Sequence, residues 1–273
     1  MHHAIPHQTC LPGIDAVSIS SDRSFPRHSH DEFGIGIMEH GGQFSWSGRG
    51  TVEAAAGDVM TVNPNELHDG LGRKGQARRW RMLFFKPDAI STLLERPAGA
   101  IAIENPVIQS AYVSQTVRAA VNAVTDPLCD QAEAEERLLV AVRATLRAVP
   151  PDVPTVHLQP SIAVQRVIAK IEAEFDLPLS LHDFSTATGL SRFQVLRRFS
   201  KEVGITPHGF LTQLRVKRAK NAILSGHSLA EAAIAVGFAD QSHMTRAFAR
   251  QFGTTPGRYL AACGWRDCNI LQS

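Results

Sequence analysis

The chain has 273 residues, 44% of them hydrophobic and 20% charged, and a formal net charge of +2. This length is enough for two domains, each with its own apolar core. No run of 18 apolar residues occurs and the N-terminus has no apolar signal region, so we expect a cytoplasmic protein that does not enter a membrane. The four cysteines, Cys10, Cys129, Cys263 and Cys268, do not form the framework of a small disulfide-stabilised protein.

Residues 15–90 have the pattern of an antiparallel sandwich or barrel. Short apolar stretches are separated by Gly, Asn and Pro at about ten-residue spacing, which is typical of short strands joined by turns. We expect strands at Phe33–Met38, Gln43–Trp46, Val52–Ala55, Val59–Val62 and Arg81–Phe85.

The stretch HSHDEFGIGIMEHGGQFSWSGRGTVEAAAGDVMTVNPNELHDG resembles the small-barrel cupin domain. Gly57-Asp58, Asn63-Pro64 and His68 carry the match. The resemblance implies a small β-barrel that encloses room for one small ligand. We expect this ligand to be an effector, a small molecule that controls the protein. The side chains that we expect to contact it are His28, His30, Glu32, Trp46 and His68.

The histidines of this region also raise the question of a metal. His28 and His30 lie on the same side of a strand, and with His68 they would supply the three nitrogens of an open zinc or iron site. Metal-binding cupins add a glutamate four or five residues after the second histidine, where this chain has Gly34 and Ile35. We therefore expect no metal cofactor, and histidines that hydrogen-bond a ligand or order the strands. A metal held by the same three histidines is the alternative.

Two helical patterns follow, at residues 106–124 and 131–148. Val113, Val117, Val121 and Val124 share one face of the first, and Leu138, Leu139, Val142 and Leu146 share one face of the second. Such faces pack on their own domain or on a second subunit, and we expect a homodimer.

A proline-rich connector at residues 149–155 cannot be helical. We therefore predict an effector-binding and dimerisation domain at residues 1–150, a linker at 151–160, and a second domain at 161–265.

The second domain contains a pattern that occurs twice. Arg197, Phe199, Gly204, Pro207 and Phe210 return 49 residues later as Arg246, Phe248, Gly253, Pro256 and Tyr259. Upstream of each block, Ser180, Leu181, Asp183 and Gly189 return 48 residues later as Ser228, Leu229, Glu231 and Gly237. This is the outline of two helix-turn-helix units in an all-helical domain.

Capping residues place the helices of each unit. Ser180 with Asp183, and Ser228 with Glu231, predict capping boxes at the start of each first helix. Gly189 and Gly237 predict the left-handed residue that ends it. Ser191 and Asp240 then predict the N-caps of the second helices.

The second helix of each unit has one apolar and one polar face. The polar faces offer donors that suit phosphates and base edges, since Arg can bond guanine and Gln can bond adenine with two hydrogen bonds each. These polar side chains are Arg192, Gln194, Arg197, Arg198 and Lys201 in the first unit, and Gln241, Ser242, His243, Arg246 and Arg250 in the second. A solvated helix face is the alternative for any one helix, and the duplication favours the nucleic-acid interface.

The net charge also differs between the two predicted domains. Residues 160–262 hold 13 Lys and Arg against 7 Asp and Glu, whereas residues 1–159 hold 14 against 18. A basic domain with two such helices is typical of binding to double-stranded DNA.

Residues from about 165 to 262 resemble the DNA-binding domain of the AraC/XylS family of bacterial transcription regulators. The stretches LSLHDFSTATGLSRFQVLRRFSKEVGITPHGFL and SLAEAAIAVGFADQSHMTRAFARQFGTTPGRYL carry the resemblance, joined by QLRVKRAKNAI. It implies one long helix at about residues 213–224 and recognition helices that enter successive major grooves about 34 Å apart. It also implies DNA contacts by Phe193, Leu196 and Arg197, and by Gln241, Ser242, His243 and Arg246, with RNA polymerase as a further partner.

The sequence leaves two functions open. The first is a DNA-binding transcription regulator, not an enzyme, that is controlled by a small molecule in the N-terminal barrel. The second is a metal-dependent cupin enzyme, an oxygenase or isomerase, fused to a DNA-binding module.

Overall fold

The computed structural model describes residues 2–47, 50–72, 76–148 and 160–262. They form two compact units, with the boundary in the chain near residue 156. The first unit combines strands and helices, and the second is helical. The connector predicted at residues 149–155 and the cysteines Cys263 and Cys268 lie outside the described residues. None of the helices in the described ranges is long and apolar enough to cross a membrane.

The strands of the first unit pair antiparallel in two sheets. A six-stranded sheet has the order β1-β2-β9-β4-β7-β10, and a four-stranded sheet has the order β3-β8-β5-β6. The strands are β1 (His2–His7), β2 (Ile14–Ser21), β3 (Phe25–His28), β4 (Phe33–His40), β5 (Gly42–Ser47), β6 (Gly50–Ala55), β7 (Val59–Val62), β8 (His68–Gly72), β9 (Arg78–Phe85) and β10 (Val107–Ile108). The five strands predicted from the sequence correspond to β4, β5, β6, β7 and β9. The described pairings form two sheets and do not close into one ring, so the predicted barrel closure stays a prediction.

The six-stranded sheet buries a different apolar set on each face. Phe33, Ile35 and Ile37 of β4 belong to one core, whereas Met38, which points the other way, belongs to another. The second core also contains Trp80 and Met82 of the six-stranded sheet and Ala54 of the four-stranded sheet. The two sheets therefore enclose a shared apolar interior, as expected for strands whose side chains alternate between two buried faces.

Three helices cover the outer face of the six-stranded sheet. They are α1 (Pro87–Leu94), α2 (Ala111–Thr125) and α3 (Gln131–Arg147), and a short 3-10 turn lies at Ala98–Ala100. The four valines of α2 are 4% exposed or less, in the same core as Leu138 and Val142 of α3. Helix α2 begins five residues later than predicted, because Val107–Ile108 pairs with β7 as a strand and Ser110 caps the helix.

The second unit consists of helices joined by tight turns. They are α4 (Ile162–Ala173), α5 (Leu181–Thr188), α6 (Arg192–Val203), α7 (Pro207–Leu224), α8 (Leu229–Ala235), α9 (Gln241–Phe252) and α10 (Pro256–Ala262). The two helix-turn-helix units are α5–α6 and α8–α9. The joining helix α7 is longer than predicted, because Thr206 caps it with Pro207 in its first turn.

The predicted caps form. Glu231 accepts a hydrogen bond from the backbone N–H of Ser228 at 2.9 Å, and Ser228 Oγ accepts one from that of Glu231 at 3.2 Å. Asp183 accepts in the same way from the Ser180 backbone at 2.8 Å. Gly189 and Gly237 follow the first helices with φ of 71° and 82°, the left-handed conformation that favours glycine.

Candidate nucleic-acid interface and effector site

The second helix of each helix-turn-helix unit is anchored by its apolar face. Val195 and Phe199 of α6 are 2% and 0% exposed, and Met244 and Phe248 of α9 are 0% and 1% exposed. Side chains three and four residues apart share a helix face, so this anchoring turns the remaining residues outward.

The side chains predicted to contact DNA lie on the outward faces. Leu196 is half-buried, and the ten that are exposed are Arg192, Phe193, Gln194, Arg197, Lys201, Gln241, Ser242, His243, Arg246 and Arg250. Phe193 is 71% exposed, which is unusual for a large apolar side chain. Beside arginines, it offers an apolar contact of the kind that recognises the thymine methyl group.

The basic side chains of these faces have no acidic counter-ion nearby. Within the described ranges, Arg192, Arg197, Lys201, Arg246 and Arg250 make no ion pair within 4.0 Å. Their charge is therefore available to an anionic partner, for which phosphate is the natural candidate.

Gln194 has a local role that was not expected from the sequence. Its Oε1 accepts a hydrogen bond from the backbone N–H of Ser191 at 2.9 Å, and Ser191 Oγ accepts one from that of Gln194 at 3.3 Å. This reciprocal pair is a capping box, for which the Ser-x-x-Gln spacing was the signal. Because Oε1 is used here, Gln194 must leave the cap to bond adenine with two hydrogen bonds.

In the first unit of the chain, the structure brings the three predicted histidines together. His28 and His68 are directly opposite each other in the β3–β8 pairing, and their ring centroids are 4.5 Å apart. His30 lies 4.9 Å from His28 and 5.1 Å from His68, again between ring centroids. Its ring also contacts Phe84 of β9, 5.2 Å away, which places the cluster against the interior between the sheets.

Backbone carbonyls set the tautomers of two of these rings. His28 Nδ1 lies 2.8 Å from the carbonyl oxygen of Pro26, and His68 Nδ1 lies 2.9 Å from that of Glu66. A carbonyl oxygen only accepts, so each Nδ1 carries a proton, and in a neutral ring Nε2 is then the unprotonated nitrogen. Glu66 itself accepts from the backbone and side-chain amides of Asn63, at 3.0 and 2.8 Å, which orders the turn before His68.

Among the residues that the structure describes, the cluster offers three protein ligands for a metal ion and no fourth. The ligand nitrogens of His28, His30 and His68 all lie within 4.8 Å of one another, and three imidazoles are the ligand set of an open zinc site. At the positions of the glutamate in metal-binding cupins, Gly34 has no side chain and Ile35 is buried in the core beneath the helices. The full ligand set of those cupins is therefore not reproduced.

Glu32 and Trp46, the other predicted effector contacts, lie in different surroundings. Glu32 is 8% exposed and follows His30 by two residues. Gln43 and Ser45 of β5 share a hydrogen bond of 2.9 Å, and Gln43 also contacts Met60 in the interior. Because strand residues alternate, Trp46 lies on the opposite face, where the Arg27 guanidinium covers its ring at 3.7 Å. The structure therefore places Trp46 apart from the interior where we expected it.

Alternate side chains of β9 point into the interior between the two sheets. Its inward side chains are, in order, Arg78, Trp80, Met82 and Phe84, and Phe84 meets the histidine cluster. The buried cation at the opposite end, Arg78, was not singled out from the sequence, because an isolated arginine at a strand start carries no motif. The Cα atoms of Arg78 and Phe84 are about 20 Å apart, given the rise per strand residue, but the Arg78 side chain reaches across to Gly70, two residues from His68 on β8.

Comparison with known proteins finds two family models that match different parts of the chain. Residues 12–144 match the AraC-like ligand binding domain, and residues 184–262 match a helix-turn-helix domain. The HTH-type transcriptional regulator YbfI of Bacillus subtilis is 28% identical over 226 residues, which is 81% of this chain and 82% of that protein. The HTH-type transcriptional regulator MtrA of Neisseria gonorrhoeae is 36% identical over 99 residues, which is 35% of this chain and only 31% of that protein.

A solved structure of ToxT from Vibrio cholerae covers 96% of this chain and 98% of its own, with a TM-score of 0.49 and 10% identity. The two domain matches and the regulators that share them agree with the two capped helix-turn-helix units described above. This chain belongs to the AraC family of DNA-binding transcription regulators, with an N-terminal ligand-binding domain and a C-terminal helix-turn-helix domain.

Proposed function

We propose that α6 and α9 are the recognition helices of this regulator and that their exposed faces read the operator. The observation that carries this proposal is the pair of matching basic faces, each without an acidic counter-ion in the described residues. Arg197 and Arg246, which occupy equivalent positions of the two units, are the residues that we assign to base edges. Lys201 is assigned to phosphate, because it lies in the last turn of α6, away from the helix N-terminus that enters the groove.

Operator selection from random duplexes, followed by anisotropy titrations, tests this assignment. Arg197→Ala and Arg246→Ala are each expected to weaken binding to the selected operator by about 1–3 kcal/mol, because a bidentate arginine contact discriminates bases by that amount. Lys201→Ala is expected to weaken operator and random duplex alike and to reduce the salt dependence by about one counter-ion. Unchanged affinities for both arginine variants would overturn the assignment.

We propose that the effector binds in the interior between the two sheets, with His28, His30 and His68 at one end. The convergence of three imidazoles on this interior supports the proposal, since imidazoles can donate hydrogen bonds to a polar ligand and accept them from it. Binding would alter DNA affinity only as far as the effector prefers one of two conformations of the protein.

A homodimer is also proposed, on a surface other than the one expected. The apolar faces of α2 and α3 are buried in their own domain, so they are not available to a second copy. Tyr112 of α2 and Val140 of α3 remain 63% and 42% exposed and offer apolar contacts. Sedimentation analysis of the wild type and of Tyr112→Glu tests this surface. A dimer whose dissociation constant is unchanged in the variant would exclude it.

RNA polymerase as a partner and the cytoplasm as the location follow from the role of a bacterial regulator on DNA, and we propose both. The three-histidine cluster favours one second function, a metal-dependent reaction in the N-terminal domain. Metal analysis of the purified protein, with assays of sugar and acid turnover, distinguishes it. Stoichiometric metal together with turnover would support the enzyme.

A further inference from the structure

Arg78 is a buried cation between the two sheets. It is 1% exposed, at the start of β9, and its inward direction takes it across to the four-stranded sheet. There its Nε donates to Gln43 Oε1 at 3.0 Å and its Nη2 donates to the backbone carbonyl of Gly70 at 3.1 Å. The guanidinium carbon also lies 5.0 Å from the ring centroid of Trp80 and 5.7 Å from that of Phe25.

The third nitrogen of this guanidinium is not satisfied. Arg78 Nη1 is buried and has no hydrogen-bond partner among the described residues, and Arg78 forms no ion pair there. Both partners that it does have are neutral oxygens. A buried charge without a counter-charge and with an unused donor is costly, so such an arrangement calls for an acceptor from outside the chain.

The strand opposite approaches this nitrogen closely. A Cβ at Gly72 of β8 would clash with Arg78 Nη1, so only glycine at that position lets the guanidinium lie there. Gly70, two residues earlier on the same side, likewise has no side chain, and a Cβ there would lie 3.7 Å from Nη2. At Gly70 and Gly72, strand β8 therefore meets the guanidinium with backbone alone, and the Gln43 side chain of β5 is the hydrogen-bond partner beside it.

Much of the interior along β9 is apolar. Trp80, Met82, Met60 and Met38 line it between the two ends. Methionine side chains repack readily around ligands of different shape. A ligand that reaches Arg78 along this interior thus needs an apolar body as well as a group for the guanidinium.

We propose that Arg78 binds the carboxylate of the effector, and that the effector is an organic acid with an apolar body. This inference rests on the proposed function of the N-terminal interior as the effector site. A carboxylate supplies the charge that Arg78 lacks and the acceptor that Nη1 lacks, and the planar guanidinium matches its two oxygens. Burial lowers the pKa of Arg78, with Asp22 opposing this effect, and a bound carboxylate would reverse the burial effect.

Matched pairs of ligands test the proposal on the full chain. Butanoate, octanoate, decanoate, benzoate and phenylacetate are each compared with their primary amide by thermal shift, and the best acid is then titrated calorimetrically. The variants are Arg78→Met, which removes the charge, and Arg78→Lys, which keeps the charge without the planar guanidinium and its paired N–H donors. Arg79→Gln is the control, because Arg79 is the next residue of β9, points to the opposite face and pairs with Glu39 at 3.1 Å.

At least one acid is expected to stabilise the wild type and the Arg79→Gln variant more than its amide does. This preference should disappear in Arg78→Met, and in Arg78→Lys the acid should bind about tenfold more weakly, as expected for loss of a charge-assisted hydrogen bond. No preference for any acid, or a preference that survives in either Arg78 variant at wild-type strength, overturns the proposal. Operator affinity without ligand, measured in parallel, separates this failure from a failure of the regulator assignment.

Discussion

The imidazole of His243 packs edge-on against the ring of Phe238, with 5.1 Å between ring centroids and an angle of 77° between planes. Phe238 is 4% exposed and anchored in the core, whereas His243 is exposed in the first turn of α9. The Asp240 carboxylate also accepts from the backbone N–H of His243 at 2.6 Å. His243, a side chain of the face that we assign to the operator, is therefore already ordered in the protein without DNA. This reduces the conformational entropy lost on binding.

Phe238→Leu is expected to weaken operator binding by about 1 kcal/mol, because it removes the edge contact that orients His243. Since Phe238 acts through His243, the same substitution should have no further effect on affinity in a His243→Ala background. Anisotropy titrations of the two single variants and the double variant measure this coupling. Additive losses would show that Phe238 does not act through His243, and urea unfolding of the same proteins would then show whether the substitution acts through stability.

Gly237→Ala is expected to destabilise the helical domain more than Gly189→Ala does. Both glycines are left-handed, so alanine costs about 1 kcal/mol at either position. At Gly237 the added Cβ would also lie 2.5 Å from the carbonyl oxygen of Asp176, whereas at Gly189 it meets nothing within 4 Å. Overpacking of this kind adds about 1–3 kcal/mol. Equal losses in thermal or urea unfolding would contradict the close approach to Asp176.

The capping boxes are expected to make the helical domain sensitive to acid. Hydrogen bonds from Ser228 lower the pKa of Glu231, and hydrogen bonds from Ser180 lower that of Asp183. A carboxyl with a depressed folded pKa contributes stability above its unfolded pKa, about 4.3 for Glu, and this contribution is lost as the pH falls through the folded pKa. Above that range the caps are fully formed.

Glu231→Gln is expected to reduce this acid-side loss, because glutamine retains an acceptor oxygen but does not titrate. Urea midpoints followed by circular dichroism, at pH values above and below the carboxyl range, measure it. Wild type and variant should differ in the slope of midpoint against pH on the acid side only. Parallel curves would mean that the box does not contribute to the pH dependence.

His68→Ala is expected to abolish the effector response and leave operator affinity without effector unchanged. His68 pairs directly with His28 and contacts His30, so its loss removes one side of the cluster while the β3–β8 backbone pairing can persist. We also expect the wild-type response to survive dialysis against EDTA, because the glutamate ligand of metal-binding cupins is missing. A response that EDTA removes and zinc or iron restores would assign the cluster to a metal. Loss of folding in His68→Ala would show a structural role.

Much of the helical domain could be predicted from sequence, because its signals are local. Capping boxes, left-handed glycines and helical spacing of apolar residues each involve positions within about one or two helical turns, and the duplication confirmed each signal by a second copy. The start of α7 was missed, although Thr206-Pro207 is a helix N-terminus signal. The capping role of Gln194 was missed for a similar reason, since a residue that suited base recognition also suited the cap.

The strand-rich domain depends more heavily on contacts between distant segments. Its amino-acid pattern alone established that strands exist and which residues alternate along each of them. It left open which strands pair, and the pairing of β3 with β8 is what brings His28 and His68 together across 40 residues. Cross-strand register and the facing of two sheets are non-local, so one strand carries no signal for them. The same folding of the two sheets turned Trp46 to the outer face and buried Arg78 between them, with a donor left for a ligand.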